Sequence, residues 1–452
     1  MATTSNAAMR EKMPRRKYPW GAPRRKYSWG APFHVSIFLS HSTSPLPEPS
    51  VPRMTSNSFR ALAATLAIQV LVAMAAVTVP VLAPAAAGEV GVSAGYVGFF
   101  VGITYAACMA ASLVSGALVR RIGAIRVSQW CLLSCAAGLW LTATGLVPLL
   151  VAGALLIGCG YGPVTPASSH ILSRSTPPGR MSFTFSLKQT GVPLGGALAG
   201  LVLPTLVLWA GWRAAAVFVG FACIVTAALV QPMRALLDAD RAPGHPLGVA
   251  SLSGPLRLVI GERAIRRLAV SSFFFASLQV CLITFLVTYL TRDLGFSLVQ
   301  AGLMLAVAQA GGVAGRLAWG AISDRGGRPL QVLGVLGCAM AVFAAAAAGF
   351  STGWPRLAIV LCCAAFGATA IGWNGVYLAE VARQASAGRA GEATGGALFF
   401  TFSGVLVGPP VFAFLVEGGF SYSVAFLVVA VPALVCGLAL LWVGARRTSA
   451  GR

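Results

Sequence analysis

Gly116-Ala-Leu-Val-Arg-Arg-Ile-Gly-Ala-Ile-Arg126 and Gly320-Ala-Ile-Ser-Asp-Arg-Gly-Gly-Arg328 are the stretches that decide the fold. Each is a basic, glycine-bearing loop between two apolar runs, and their starts lie 204 residues apart. Two more pairs repeat in the same order. Ile68-Gln69-Val70 answers Leu278-Gln279-Val280 at an offset of 210, and Gly191-Val-Pro-Leu-Gly195 answers Gly404-Val-Leu-Val-Gly408 at 213. Three matches at a nearly constant offset mark a chain made of two related halves that run in the same direction, a parallel repeat.

Outward from those loops the solvent of the chain becomes clear. Of 452 residues, 57% are hydrophobic and 10% charged, against roughly 25% charged in a soluble domain; the mean hydropathy is +0.81. Apolar runs of about twenty residues recur, each able to cross a hydrocarbon core of about 30 Å at about 1.5 Å per residue. Twelve are expected, over 61 to 84, 95 to 117, 127 to 147, 149 to 172, 183 to 208, 213 to 232, 268 to 290, 298 to 322, 330 to 350, 357 to 381, 394 to 416 and 421 to 444. The expected fold class is therefore an all-α integral membrane protein, twelve transmembrane helices in two pseudo-symmetric six-helix bundles. The expected boundaries are 54-232 for the first bundle, 233-266 for a cytoplasmic linker, 267-445 for the second bundle and 446-452 for a tail.

A net charge of +22 would suit a nucleic-acid binder, but the position of the charge argues otherwise. With the N-terminus in the cytoplasm, nineteen of the basic residues after Met54 fall on that side, among them Arg120, Arg121, Arg126, Arg263, Arg266, Arg267, Arg446 and Arg447. Arg213, Arg292 and Arg356 fall on the other, and Lys188 and Arg316 inside spans. That bias is the positive-inside rule, so both termini are expected in the cytoplasm and no nucleic-acid partner is implied. All ten cysteines sit in apolar runs without metal or disulfide spacing. The four histidines, His34, His41, His170 and His245, are scattered. An enzyme needs acid, base, nucleophile or metal ligands gathered together, so neither catalysis nor a cofactor is expected.

Residues 1-53 differ in kind. They are polar, hold nine Lys or Arg and repeat Pro14-Arg-Arg-Lys-Tyr-Pro-Trp-Gly-Ala22 as Pro23-Arg-Arg-Lys-Tyr-Ser-Trp-Gly-Ala31. Such a segment reads as a basic arm for anionic lipid, or as sequence upstream of a true start at Met54, which is the favoured reading.

Gly320, Asp324, Arg325, Gly327 and Arg328 match the G-x-x-x-D-R-x-G-R signature of the major facilitator superfamily, and the chain from 54 to 445 resembles that family in span number, linker and repeat. The resemblance implies carriage of a small solute by alternating access, with the loop as a conformational latch. The first-half copy keeps Gly116, Arg121 and Gly123 but has Arg120 where the family usually has Asp.

Ionisable groups inside a bilayer are functional candidates by default. Lys188 lies in span 5 and Arg316 in span 8, about 12 Å deeper than Asp324 at the helical rise. The resemblance implies that spans 5 and 8 face each other across the halves, so the two cations would converge. No span carries a carboxylate near its middle: Glu380, Glu392 and Glu417 lie near span ends. A positive pocket suits an organic anion, which relieves the cost of an unpaired cation. The alternatives are contact with helix carbonyls for Arg316 and snorkelling for Lys188. Gln69, Tyr161, Gln279, Trp373 and Asn374 lie in the spans that the family uses to line its cavity. Gln309 shares the face of Arg316, and Tyr105 occupies the corresponding place in span 2. Each of these serves ligand contact or helix-to-helix hydrogen bonding. Phe399, Phe400 and Phe402 are expected as wall or packing.

Phe185-Ser-Leu-Lys-Gln-Thr-Gly-Val-Pro-Leu-Gly195 and Gly372-Trp-Asn-Gly-Val-Tyr377 are similar to bacterial carriers grouped with the cyanate permeases. That subgroup resemblance implies uptake of an organic anion by a monomer in the bacterial inner membrane. A proton is the candidate co-ion, supplied through the substrate or Glu380. Drug or metabolite efflux is the alternative; a lipophilic cation would call for a membrane-embedded acid, which the spans lack.

Overall fold

The computed structural model describes residues 56–176, 181–247, 253–326, 328–386 and 390–450. The 1-53 extension, Gly327 and the side chain of Asp324 lie outside the described residues. The first half comprises α1 (Ser56–Val90), α2 (Val97–Ile122), α3 (Ala124–Ala143), α4 (Val147–Tyr161), α5 (Val164–Ser175), α6 (Met181–Gln189) and α7 (Gly191–Leu229). Two short helices follow, α8 (Arg234–Leu237) and α9 (Ser253–Gly261). The second half comprises α10 (Arg263–Arg292), α11 (Leu298–Gly326), α12 (Pro329–Ala348), α13 (Arg356–Ala370), α14 (Asn374–Gln384), α15 (Ala390–Glu417) and α16 (Tyr422–Ala450).

Eleven helical stretches among the described residues are long and apolar enough to cross a membrane. One of them, Leu187–Leu237, runs for 51 residues, about 75 Å at the helical rise and more than twice a hydrocarbon core. At Gly211 its backbone turns to φ 82, ψ 167, outside the helical region. A β-carbon is disfavoured at that φ, and glycine is what permits the reversal. Two crossings that meet at Gly211 are compatible with the expected twelve.

The spans expected over 149 to 172, 183 to 208 and 357 to 381 are not unbroken. The first divides between α4 and α5 at Gly162-Pro163, the second at Thr190, and the third at Ile371-Gly-Trp373. The breaks in the first and third come at equivalent points of the two halves. Irregular backbone at membrane depth is tolerated where protein surrounds it, and it frees carbonyl groups for other partners.

The repeat is visible in packing as well. A β-carbon at Gly158 of α4 would lie 2.0 Å from the Thr104 carbonyl oxygen of α2, and one at Gly367 of α13 would lie 1.8 Å from that of Ala308 in α11. In a solvent as apolar as leucine, helices associate by close backbone approach, so small residues mark their contacts. Within the halves α1 packs on α7 and α10 on α15, the same pairing of first and fifth spans.

The halves meet along α7 with α11 and α2 with α15. A β-carbon at Gly200 would lie 2.4 Å from the Gly302 carbonyl oxygen, and one at Gly98 would lie 2.3 Å from that of Pro409. Gly95 lies against Glu417, and Gly102 against Pro410. All of these contacts belong to the end of the molecule remote from Ser56 and from the linker. At the other end Gly116 and Gly320 have open space where a β-carbon would stand. The two halves thus approach each other most closely by glycine at the remote end.

Candidate functional site

Arg316 is held by two helix breaks. Its Nε donates to the Ile371 carbonyl oxygen at 3.2 Å, and its Nη1 to that of Gln189 at 3.1 Å. Both acceptors are carbonyls at helix C-termini, those of α13 and α6. The reason Gln189 is available lies four residues on, at Pro193. Proline has no N–H, so the carbonyl four residues earlier loses its helical donor. A helix C-terminus also carries partial negative charge, which favours a cation. The carbonyl contacts weighed for Arg316 from the sequence are therefore present. Nη2 makes no hydrogen bond among the described residues, so one corner of the guanidinium is unengaged.

Lys188 does not snorkel: only 1% of the residue is exposed. Its Nζ donates to Gln189 Oε1 at 3.1 Å and to Thr165 Oγ1 of α5 at 3.4 Å. Gln189 thus receives Arg316 on its backbone oxygen and Lys188 on its side-chain oxygen. Neither takes part in an ion pair among the described residues. Tyr161 stands one turn before Thr165, within electrostatic reach of Arg316, and its ring meets that of Tyr105 edge-on at 5.8 Å. Five elements therefore converge on this point: α2, the α4–α5 break, α6, α11 and the α13–α14 break.

The remaining candidates fall in two other places. Gln279 of α10 accepts at Oε1 from Trp373 Nε1 at 3.0 Å and from Asn374 Nδ2 at 3.3 Å, a cluster within the second half. Gln309 is buried with its amide over Gly196, where a β-carbon would approach Nε2 to 2.0 Å. It wedges between α11 and α7, above the Gly200–Gly302 approach. Gln69 packs against Gly191, and its buried Oε1 has no hydrogen-bond partner. No hydrogen bond among the described residues joins Gln69 to Gln279. The rings of Phe399 and Phe400 meet edge-on at 6.0 Å. Glu380 is buried and answered by Arg383 at 2.7 and 2.8 Å. An apolar groove of about 330 Å³ at the remote end, lined by Val79, Phe99, Phe100 and Trp212 among others, has no charged anchor.

At the first-half loop Gly116–Arg126 the linker supplies a carboxylate that the loop itself lacks. Asp238, in the linker after α8, accepts from the Ile125 amide at 2.7 Å and the Arg126 amide at 3.1 Å, and so caps α3. Burial raises its carboxyl, against the pull of those two amides and of Arg234. Gly123 takes φ 98 beside it, and a β-carbon there would come within 2.2 Å of the Asp238 carboxyl carbon. The linker is pinned twice more. The Ala242 amide donates to the Arg120 carbonyl at 2.7 Å, and Asp240 pairs with His170 at 2.7 Å and with Arg174. Arg121, Arg325 and Arg328 are exposed.

Two pseudo-symmetric bundles with a polar cluster between them define a polytopic membrane protein of the carrier type. The chain matches the family model described as Major Facilitator Superfamily over residues 65–403, and it belongs to that family. It is 26% identical over 262 residues to an uncharacterized MFS-type transporter of Mycobacterium tuberculosis, which covers 57% of each chain. It is 22% identical over 330 residues to a hexuronate transporter of Bacillus subtilis, covering 69% of this chain and 76% of that one. A probable anion transporter of Oryza sativa is 27% identical over 241 residues, 48% of this chain and 54% of the relative. The chain thus spans little more than half the length of the first of these relatives. Among solved structures, a bacterial homologue of the human lysosomal transporter Spinster superposes with a TM-score of 0.66 at 18% identity, over 87% of this chain and 97% of that one. The nucleoside transporter NupG gives 0.66 at 17%, over 84% and 99%. These likenesses show the fold, and a family of this kind is not enzymatic.

Proposed function

We propose that the chain is a secondary carrier that takes up a small organic anion across a bacterial inner membrane by alternating access between its halves. The observation that carries this reading is the meeting of Arg316 and Lys188 on Gln189 with no carboxylate paired to them among the described residues. A guanidinium with a free corner beside a buried lysine amine leaves a site short of negative charge. A carboxylate supplies it through charge-assisted hydrogen bonds, and unpaired buried cations are otherwise costly. The hexuronate and anion transporters among the relatives support the same class of solute. The positive-inside bias favours a cytoplasmic linker, so the end where the halves pack through Gly98, Gly200 and Gly302 faces outward in this reading.

In this reading Arg316 and Lys188 bind the carboxylate, Tyr161 and Tyr105 bound it on the first-half side, and the Gln279, Trp373 and Asn374 cluster bounds it on the second. Gln69 and Gln309 serve the contact of α7 with α1 and α11. The Asp238 cap and the Asp240 pairs hold the first-half latch against the linker.

The test is thermal unfolding of the purified full chain against hexuronates, mono- and dicarboxylates, inorganic anions and lipophilic cations, since a ligand that binds only the folded state raises its melting temperature. A shift with one anion class, lost in Arg316→Ala, is expected. A shift with lipophilic cations alone would overturn uptake and favour efflux.

A further inference from the structure

The site as folded has two basic side chains, which differ in one respect. Arg316 cannot give up its proton. Lys188, side by side with it on Gln189, can. It is buried to 1% exposure with a neutral amide oxygen at 3.1 Å and a neutral hydroxyl at 3.4 Å as its partners. Among the described residues no carboxylate lies within hydrogen-bond distance of this amine, and Arg316 shares Gln189 with it.

The described charged groups on the elements around it are as follows, the side chain of Asp324 on α11 lying outside the described residues. On α5, His170 and Arg174 are committed to Asp240. On α1, Arg60 and Glu89 lie near its two ends, and Glu89 pairs with Arg213, which follows the α7 reversal. On α4 stands Tyr161, and on α11 Arg316. None of these supplies negative charge to the amine. Glu380, the buried acid of the second half, is already held by Arg383 and Gln384.

We propose that Lys188 carries the proton that enters with the anion. Its amine stands neutral in the empty site and binds one proton as the carboxylate arrives, forming an ammonium–carboxylate pair. The amine returns that proton when the anion leaves. The stoichiometry is one proton and one negative charge, so Lys188 and its monovalent ligand cross together as a neutral pair while Arg316 keeps its two carbonyl partners. This rests on the anion reading above and adds to it the identity of the coupling group. A lysine takes the part for which no unpaired acid stands near the middle of a span among the described residues.

The experiment is calorimetric titration of the full chain with the anion that gives the largest thermal shift in the panel, repeated in buffers of different ionisation enthalpy at several pH values. Uptake of about one proton per anion is expected above the pH at which the amine titrates, with affinity falling about tenfold per pH unit there. Lys188→Arg keeps the charge and cannot release it, so anion binding should persist with no proton taken up and no such pH dependence. Anion binding without proton uptake in the natural chain overturns the proposal and leaves the anion reading standing. Uptake that persists in Lys188→Arg assigns the proton to the substrate or to Glu380 and likewise overturns it. Absence of any anion shift removes both readings together. Should the variant fail to insert, acylation of Lys188 mapped by peptide mass gives a second answer. The neutral amine of the empty carrier should react faster than the anion-bound one, and equal rates overturn the proposal.

Discussion

The guanidinium of Arg316, on the second half, donates to the Gln189 carbonyl of the first half at 3.1 Å, and that carbonyl is free because Pro193 has no amide hydrogen to give it. One hydrogen bond between the halves thus depends on a proline four residues from its acceptor. Pro193→Ala restores the helical donor and sets it in competition with Arg316. The expected outcome is a higher melting temperature with anion uptake reduced about tenfold, the worth of one weakened charged hydrogen bond of about 1.5 kcal/mol. Uptake in proteoliposomes beside thermal unfolding checks it.

Arg316→Lys keeps a positive charge but cannot span two carbonyls as a planar fork does. Loss of one anchoring bond should cost about 1 to 3 kcal/mol of stability and abolish the thermal response to anions. An undiminished response would place the substrate elsewhere.

Gly200 and Gly302 approach so closely that a β-carbon on either would stand 2.4 or 2.3 Å from the other's carbonyl oxygen. Gly302→Val should overpack this contact at a cost of about 1 to 3 kcal/mol and part the halves at the remote end. The melting temperature falls, and labels at Tyr96 and Glu417 move apart; unchanged spacing would mean that the contact does not hold that end shut.

Asp238 caps α3 through two amides. Asp238→Ala should cost about 1 kcal/mol, the usual worth of an N-cap. Gly123→Ala should cost more, because it combines a strained φ of 98 with a collision against the same carboxyl. Thermal unfolding of the two variants gives the order.

Asp240 sits where burial raises its carboxyl, but the hydrogen bond from His170 and the charges of His170 and Arg174 outweigh this and hold it below the usual range. A carboxyl lowered on folding stabilises above its unfolded value, near 3.9, and that stability is lost as pH falls through the lower folded value. For a pair this exposed the contribution is about 0.5 kcal/mol. Asp240→Asn should therefore lower the melting temperature slightly at pH 7, and by progressively less as the pH falls below about 3.9.

Much of this was legible in the chain. Charge in an apolar run is conspicuous, so Arg316 and Lys188 stood out, and the duplicated loops announced two halves. Gln189 did not stand out, since a backbone carbonyl has no sequence signature beyond the proline that frees it. The breaks at Gly162-Pro163 and Thr190 were written in glycine and proline, yet read as parts of unbroken spans because hydropathy averages over them. The Asp238 cap was hidden for another reason: its partners lie over a hundred residues away.

By itself the sequence determined the solvent, the repeat and the family, because these follow from composition and periodicity summed over many residues. Only the tertiary structure decided that Arg316 and Lys188 share one glutamine, that Gln69 and Gln279 form no bond with each other, and that a linker aspartate caps α3. Each of those depends on a hydrogen bond a few ångströms long between distant segments, and such a bond exists only once packing has fixed both ends.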